Sequence, residues 1–176
     1  MRIITITGAS GTGKTSLAQA YHDKRKIIPF YRFDSIGIPP TDDMKKQCGS
    51  IEEWQRRMTI EWINRIGAQN EDKDWVIFEG QTRPQFINEA YALAGITGAF
   101  IICLWCDVPT MKQRLIYQRQ DPDLFSGTML NWSNCLRKWT EECENGTVVD
   151  TSGNDTAKNL ASLTDMINSI MANEAL

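Results

Sequence analysis

The chain has 176 residues, of which 41% are hydrophobic and 23% charged, ordinary proportions for a soluble globular protein and enough for one domain with a substantial core. A formal charge of −3 argues against an extended nucleic-acid-binding surface, although a local basic cleft stays open. No apolar run reaches the roughly 18 residues of a membrane span, and the N-terminus enters a core strand directly rather than a leader, so a cytoplasmic protein is expected.

The β-branched, apolar run from Ile3 to Ile6 reads as a buried strand. Gly8-Ala9-Ser10-Gly11-Thr12-Gly13-Lys14-Thr15 follows and fits G-x-x-x-x-G-K-[ST] without a mismatch. Leu17, Ala20 and Tyr21 then recur at helical spacing. Strand, glycine loop and helix is the context this motif requires. Polyphosphate is a dense anion, and inward-pointing backbone N–H groups hold it where glycine keeps the backbone bare. The helix N-terminus adds its positive end, Lys14 reaches the β- and γ-phosphates, and the Thr15 hydroxyl serves as a Mg²⁺ ligand.

Further on, Ile27 to Asp34 reads as strand two, and Pro29 within it, lacking an N–H, suggests a sheet edge or a strand start. Ser35 to Gly49, polar and carrying Pro39-Pro40, reads as a loop. Ser50 with Glu53 forms a capping-box pattern, and Ile51, Trp54, Met58, Trp62 and Ile66 form the apolar stripe of the helix it opens. Trp75 to Phe78 is strand three, ending at Glu79-Gly80, and Pro84 opens another helix. Ala99 to Cys106 is strand four, apolar on both faces. Asp107-Val108-Pro109 starts a helix carrying Arg114 and Arg119; Gln120 to Gly127 breaks the pattern. Met129, Trp132, Leu136, Trp139 and Cys143 form a stripe read as core. Thr147 to Asp150 is strand five, followed by the Thr151-Ser152-Gly153-Asn154 turn and a last helix packing through Leu160, Leu163, Ile167 and Ile170.

Alternating strands and helices predict an α/β fold with a parallel sheet. In such sheets ligands bind at the carboxyl ends of strands, which gathers the glycine loop, Asp34, Glu79, Asp107 and the turn after strand five. Cys103 and Cys106, three apart on a strand, face opposite sides, so buried thiols are expected rather than a shared metal or disulfide. His22 stands alone on the first helix, which leaves no Ser/His or His-metal constellation.

The glycine loop resembles the Walker A loop of P-loop NTPases, and the whole chain resembles their nucleotide and small-molecule kinase branch. That resemblance implies a three-layer sandwich, with a five-stranded parallel sheet in the order 2-3-1-4-5 and helices on both faces, in a single domain 1–176. The segment Trp75-Val-Ile-Phe-Glu79-Gly-Gln-Thr-Arg83-Pro84 resembles the strand-then-D-G-x-x-R segment of nucleoside monophosphate kinases, with Glu for Asp and Gln-Thr for the usual Phe-Pro. It implies that Glu79 serves the metal and that Arg83 grips an acceptor phosphate. Asp107-Val-Pro109 with Arg114 and Arg119 resembles the helix leading to the lid, either arginine neutralising the transferring phosphoryl group, with a short lid around 119–128 hinged near Gly127. Asp34 matches the acid that faces the acceptor hydroxyl in kinases of small hydroxylated molecules, and Arg32 lies two residues earlier on the same strand face. Ser152 and Gly153 sit in the turn that resembles the adenine-packing loop. The expectation is a Mg²⁺- and ATP-dependent kinase of a small acceptor, either a hydroxyl metabolite or a nucleotide. The alternatives are an NTP-driven switch or a polynucleotide end kinase, and a homodimer stays open.

Overall fold

The computed structural model describes residues 1–174; the last two residues of the expected domain lie outside the described residues. β1 (Arg2–Thr7), β2 (Phe30–Arg32), β3 (Trp75–Glu79), β4 (Gly98–Trp105) and β5 (Gly146–Asp150) form a five-stranded sheet in the order β2-β3-β1-β4-β5, with every pairing parallel. The helices are α1 (Lys14–Lys24), α2 (Thr41–Cys48), α3 (Ile51–Gln69), α4 (Pro84–Ala94), α5 (Val108–Lys112), α6 (Gly127–Glu141) and α7 (Thr156–Asn173). Among the described residues no helix is long and apolar enough to cross a membrane.

Two apolar layers flank the sheet because β1, β3 and β4 are buried on both faces. Ile3, Val76, Phe78 and Ile101 face a layer built with Trp54, Trp62, Ile63 and Ile66 of α3 and Ile87 and Tyr91 of α4. Ile4, Ile6, Ile77, Ile102 and Leu104 face a second layer built with Leu17, Ala18 and Tyr21 of α1 and Leu163 and Ile167 of α7. Period-two alternation sends neighbouring strand residues to opposite layers. A smaller cluster of Ala9, Cys106, Met111 and Leu115 packs the glycine loop against the α5 region. Cys103 and Cys106 are both buried and unpaired, and burial pushes both thiols up, to about 12 and about 11. Only Cys106 belongs to the cluster under the loop.

Five local expectations are corrected. Strand two is three residues long rather than eight: Ile27 is 88% exposed, and the chain turns into a 3-10 helix at Phe33–Ile36, so Asp34 does not continue the strand face of Arg32. The loop expected over Ser35 to Gly49 contains α2; Asp42 and Asp43 in its first turn, Lys45 and Lys46 in its last and Gly49 at φ 82° are helix-end signals that the two prolines obscured. α5 does not continue regularly to Arg119: Gln113–Gln118 is a π-helical stretch, which turns Arg114 inward. The break before α6 is shorter than expected, since Gly127 is already the first helical residue behind the Ser126 cap, whose Oγ accepts from Met129 N. In the α3 stripe, Ile51 is exposed, while Thr59 and Ile63 take buried places.

The Ser50 cap is formed as expected, with its Oγ accepting from Glu53 N at 3.0 Å, while the Glu53 carboxylate turns instead to Arg56 and Arg57. Ser50→Ala is expected to destabilise the protein by about 1 kcal/mol in urea unfolding, with an unchanged m-value.

Candidate active site

The site sits at the carboxyl ends of the strands because β1 delivers the glycine loop there and its neighbours deliver the acids. Gly8 leaves β1 at φ 149°, and a Cβ on it would meet the Leu104 carbonyl oxygen of β4 at 2.5 Å and the Thr12 hydroxyl at 2.7 Å, so only glycine lets the loop turn this close to the sheet. Thr12, fully buried, closes the loop by donating to the Ala9 carbonyl at 2.9 Å. Gly13 caps α1 at φ 85°. Lys14 and Thr15 then occupy the first turn, where the helix N–H groups have no partners of their own.

The register Ile6↔Glu79 puts the last residue of β3 directly beside the start of the loop. Thr15 Oγ1 donates to Glu79 Oε1 at 3.0 Å. The Glu79 carboxylate is 5% exposed, and Arg32 at the end of β2 stands 3.9 Å from its other oxygen. Burial pushes the Glu79 pKa up and Asp34 adds to this, against Lys14, Thr15 and Arg32. Burial likewise lowers the pKa of Lys14, with Arg119 acting in the same direction and Glu79 and Asp34 opposing it. A half-buried cation and a buried carboxylate thus sit together at the loop, with the exposed Asp34 and Arg119 acting on the Lys14 charge. Arg119 is 59% exposed and pairs with Asp121 at 3.7 Å.

Arg114 reaches the cavity with its guanidinium engaged by backbone carbonyls. Its guanidinium donates to the carbonyls of Gly11 (3.1 Å), Thr151 (2.6 Å) and Gly153 (2.9 Å) and to the Thr151 hydroxyl (3.3 Å). It therefore ties the glycine loop to the turn after β5 and is not a free lid arginine. Thr151 is the second half of this clamp: it is fully buried and its hydroxyl donates to the Thr12 carbonyl at 2.8 Å. Ser152 Oγ accepts from Asp107 N, and Gly153 N donates to Thr110 Oγ1, which locks the turn to the start of α5. A cavity of about 370 Å³ opens beside Ser10, Gly11, Lys14, Thr15, Arg114 and Arg119, and extends to Thr156 and Asn159 of α7.

Arg83 is not in that cavity. It precedes α4, donates to Gln55 Oε1 at 2.7 Å and pairs with Glu52 at 3.7 Å. Its guanidinium lies 4.7 Å from the Trp132 ring, 5.2 Å from Phe86 and 6.0 Å from Trp139. Trp132, read as core, packs against the small cluster under the loop and is also one face of a box around this arginine. Gln55 in turn donates to the Gln81 carbonyl at 2.8 Å, and Ser10 Oγ donates to Gln81 Oε1 at 3.4 Å, linking the box to the glycine loop. Gln55 belongs to no motif, and Thr151, though in the turn after β5, takes its clamping role from tertiary placement.

The donor set fits a divalent cation of the Mg²⁺ type. Thr15 and Glu79 offer hard oxygen atoms already adjacent, and a buried carboxylate pushed toward protonation gains from a cation beside it. Among the described residues no group of three or more His, Cys, Asp or Glu could form an all-protein metal cage.

No protein-family model matches the sequence, and no curated protein is similar to it. Solved structures are similar in fold. An unliganded sugar kinase from Janibacter sp. HTCC2649 has a TM-score of 0.69 at 15% identity, covering 96% of this chain and 95% of that one. A gluconokinase from Sinorhizobium meliloti 1021 has a TM-score of 0.64 at 17% identity, covering 98% and 97%. A shikimate kinase from Acinetobacter baumannii in complex with shikimate has a TM-score of 0.57 at 15% identity, covering 96% and 94%. The chain thus has the α/β fold of the P-loop small-molecule kinases over nearly its whole length.

Two outcomes test the site. Because the folded state holds the Glu79 proton more tightly than the unfolded chain does, ionised Glu79 costs stability, and the cost appears as pH rises above the ordinary carboxylate range. Glu79→Gln is therefore expected to raise the ligand-free Tm at pH 7 and to flatten its fall above the ordinary carboxylate range, while removing most of the stabilisation by Mg-ATP; scanning calorimetry across pH reads both. Arg114→Lys keeps the charge and loses the planar fork, and is expected to raise the Kd for Mg-ATP about tenfold in a calorimetric titration.

Proposed function

We propose that this chain is a Mg²⁺- and ATP-dependent kinase that transfers the γ-phosphoryl group to a hydroxyl of a small acceptor. The observation that carries this reading is Lys14 and Thr15 side by side at one cavity, with the buried Glu79 carboxylate accepting from the Thr15 hydroxyl and Asp34 acting on the Lys14 charge. The likeness in fold to sugar, gluconate and shikimate kinases supports a small hydroxylated acceptor over a nucleotide.

In this reading residues 8–15 hold the β- and γ-phosphates through backbone N–H groups, and Lys14 supplies a positive charge that burial keeps poorly hydrated and so strongly attractive. Thr15 and Glu79 hold the Mg²⁺, whose chemistry when bound is to neutralise phosphate charge. Ser152 and Gly153, fixed by the Arg114 clamp, form one side of the nucleotide pocket. Arg119, exposed at the edge of the cavity, is the arginine that swings toward the transferring group as the lid around 119–128 closes. Asp34 aligns the acceptor hydroxyl and takes its proton late, as a loose transition state requires. Arg83 in its aromatic box binds the acceptor rather than ATP. The whole chain is one domain, and its five unpaired cysteines suit a reducing cytoplasm.

The test is ADP release over a panel of sugars, sugar acids, cyclic hydroxy acids and nucleosides. One of the hydroxylated acceptors is expected to stimulate release, and stimulation by none, with slow hydrolysis gating a protein partner, would mark a switch instead. With the stimulating acceptor, Asp34→Asn is expected to lower kcat about 10²-fold and leave the Kd for ATP unchanged. Near-normal turnover would make Asp34 a turn residue only.

A further inference from the structure

Arg83 is held in place by a neutral group. Its Nη1 donates to Gln55 Oε1 at 2.7 Å, the guanidinium's one hydrogen bond among the described residues. An amide oxygen orients a guanidinium without cancelling its charge. The carboxylate paired with it, Glu52, stands 3.7 Å from Nε and is 63% exposed, and such a surface pair is worth little. The buried polar atoms without a partner are Tyr21 Oη, His22 Nδ1, Trp132 Nε1 and Ser133 Oγ, none of them on Arg83. Its Nε and Nη2 groups therefore reach solvent. They form the edge of the fork that matches an oxyanion in two parallel bonds. Gln55 is itself fixed at both ends, because its Nε2 donates to the Gln81 carbonyl at 2.8 Å. The segment that carries Gln81 is pinned in turn: the Thr7 hydroxyl donates to the Thr82 carbonyl at 2.7 Å, and the Thr59 and Thr82 hydroxyls pair at 2.8 Å. Ser10 of the glycine loop reaches Gln81 Oε1 at 3.4 Å. Gln55 thus sets the place of Arg83 relative to the glycine loop.

We propose that Gln55 is a positioning residue that sets acceptor specificity: it presents the free edge of Arg83 to an oxyanion of the acceptor and, being neutral, leaves the guanidinium charge to that group. The acceptor is then a hydroxylated acid, bearing a carboxylate or a phosphate, rather than a neutral polyol or nucleoside. This rests on the reading of Arg83 as an acceptor-binding residue. Glutamate at position 55 has the same length and would accept from Arg83 equally well. It would also neutralise the guanidinium, and its second oxygen would face the Gln81 carbonyl with no proton to donate. The rings of Phe86, Trp132 and Trp139 around Arg83 limit its hydration, with the side chain 20% exposed, so an oxyanion at the open edge is screened less than at an open surface.

The probes are glycerate, glycerol 3-phosphate and glycerol, one body with three different charges. They are titrated into the isotope-labelled full chain and read at the Arg83 Nε–Hε signal, assigned by its loss in Arg83→Ala. Both anions are expected to shift that signal and glycerol to leave it in place, and the tighter anion identifies the source as carboxylate or phosphate. Gln55→Glu is expected to weaken both anions about tenfold or more, while the Kd for Mg-ATP stays within about twofold. Gln55→Met, neutral and of similar length, is expected to broaden the ligand-free Arg83 signal and to weaken both anions less than Gln55→Glu does. Equal shifts by glycerol and the anions, no shift by either anion, or unchanged anion affinity in Gln55→Glu would each overturn the proposal. Acceptor KM in the ADP-release assay separates this proposal from the reading beneath it. If Arg83→Ala leaves that KM unchanged, the reading of Arg83 falls and the proposal with it. If Arg83→Ala raises it and Gln55→Glu does not, the proposal alone falls.

Discussion

The structure depends on keeping a cation half-buried at the first turn of α1 before any ligand arrives. Burial disfavours the charged form of Lys14, and only the nearby carboxylates of Glu79 and Asp34 oppose that cost. Glu79 carries the mirror-image cost, a carboxylate buried at a strand end and relieved only in part by Lys14, Arg32 and the Thr15 hydroxyl. Neither charge is well satisfied alone, and a polyphosphate with its cation would satisfy both. Such strain is the expected mark of a site whose stability has been given up for binding.

Holding these groups in place is the work of the sheet and of the two layers beneath it. The parallel register places Ile6 beside Glu79 and Arg32 beside Glu79, so three consecutive strands in the sheet order converge on one carboxylate. On the other side, Trp105 aligns with Asp150, and Thr151 N donates to the Trp105 carbonyl at 2.7 Å, which brings the turn after β5 within reach of the glycine loop. Arg114 then fastens loop to turn through four acceptors. Arg114 does so from the start of the π-helical stretch Gln113–Gln118 that follows α5.

What was legible in the sequence followed from strong local rules. The glycine loop and Glu79 at a strand end were readable because the motif and the apolar runs act over short stretches, whereas the strand order came only with the resemblance to a known kinase branch. The Ser50 cap was readable for the same reason. The second strand is shorter than its sequence suggests, because Ile27 and Ile28 look β-prone while pairing with β3 begins at Phe30. α2 was missed because Pro39-Pro40 reads as a loop, whereas Pro40 marks the helix start. Arg114 and Arg83 could be found but not assigned. One is absorbed by carbonyl groups far away in sequence and the other by a box drawn from α3, α4 and α6, and no spacing rule encodes such contacts.

The most direct measurement is a calorimetric titration of the wild-type chain and of Lys14→Ala with ATP, in the presence and absence of Mg²⁺. The account predicts that the wild type binds Mg-ATP, that withholding Mg²⁺ weakens it, and that Lys14→Ala loses most of the affinity while its ligand-free Tm holds or rises, because a costly buried cation is gone. Equal affinity in the two proteins, or a Lys14→Ala protein that no longer folds, would contradict it.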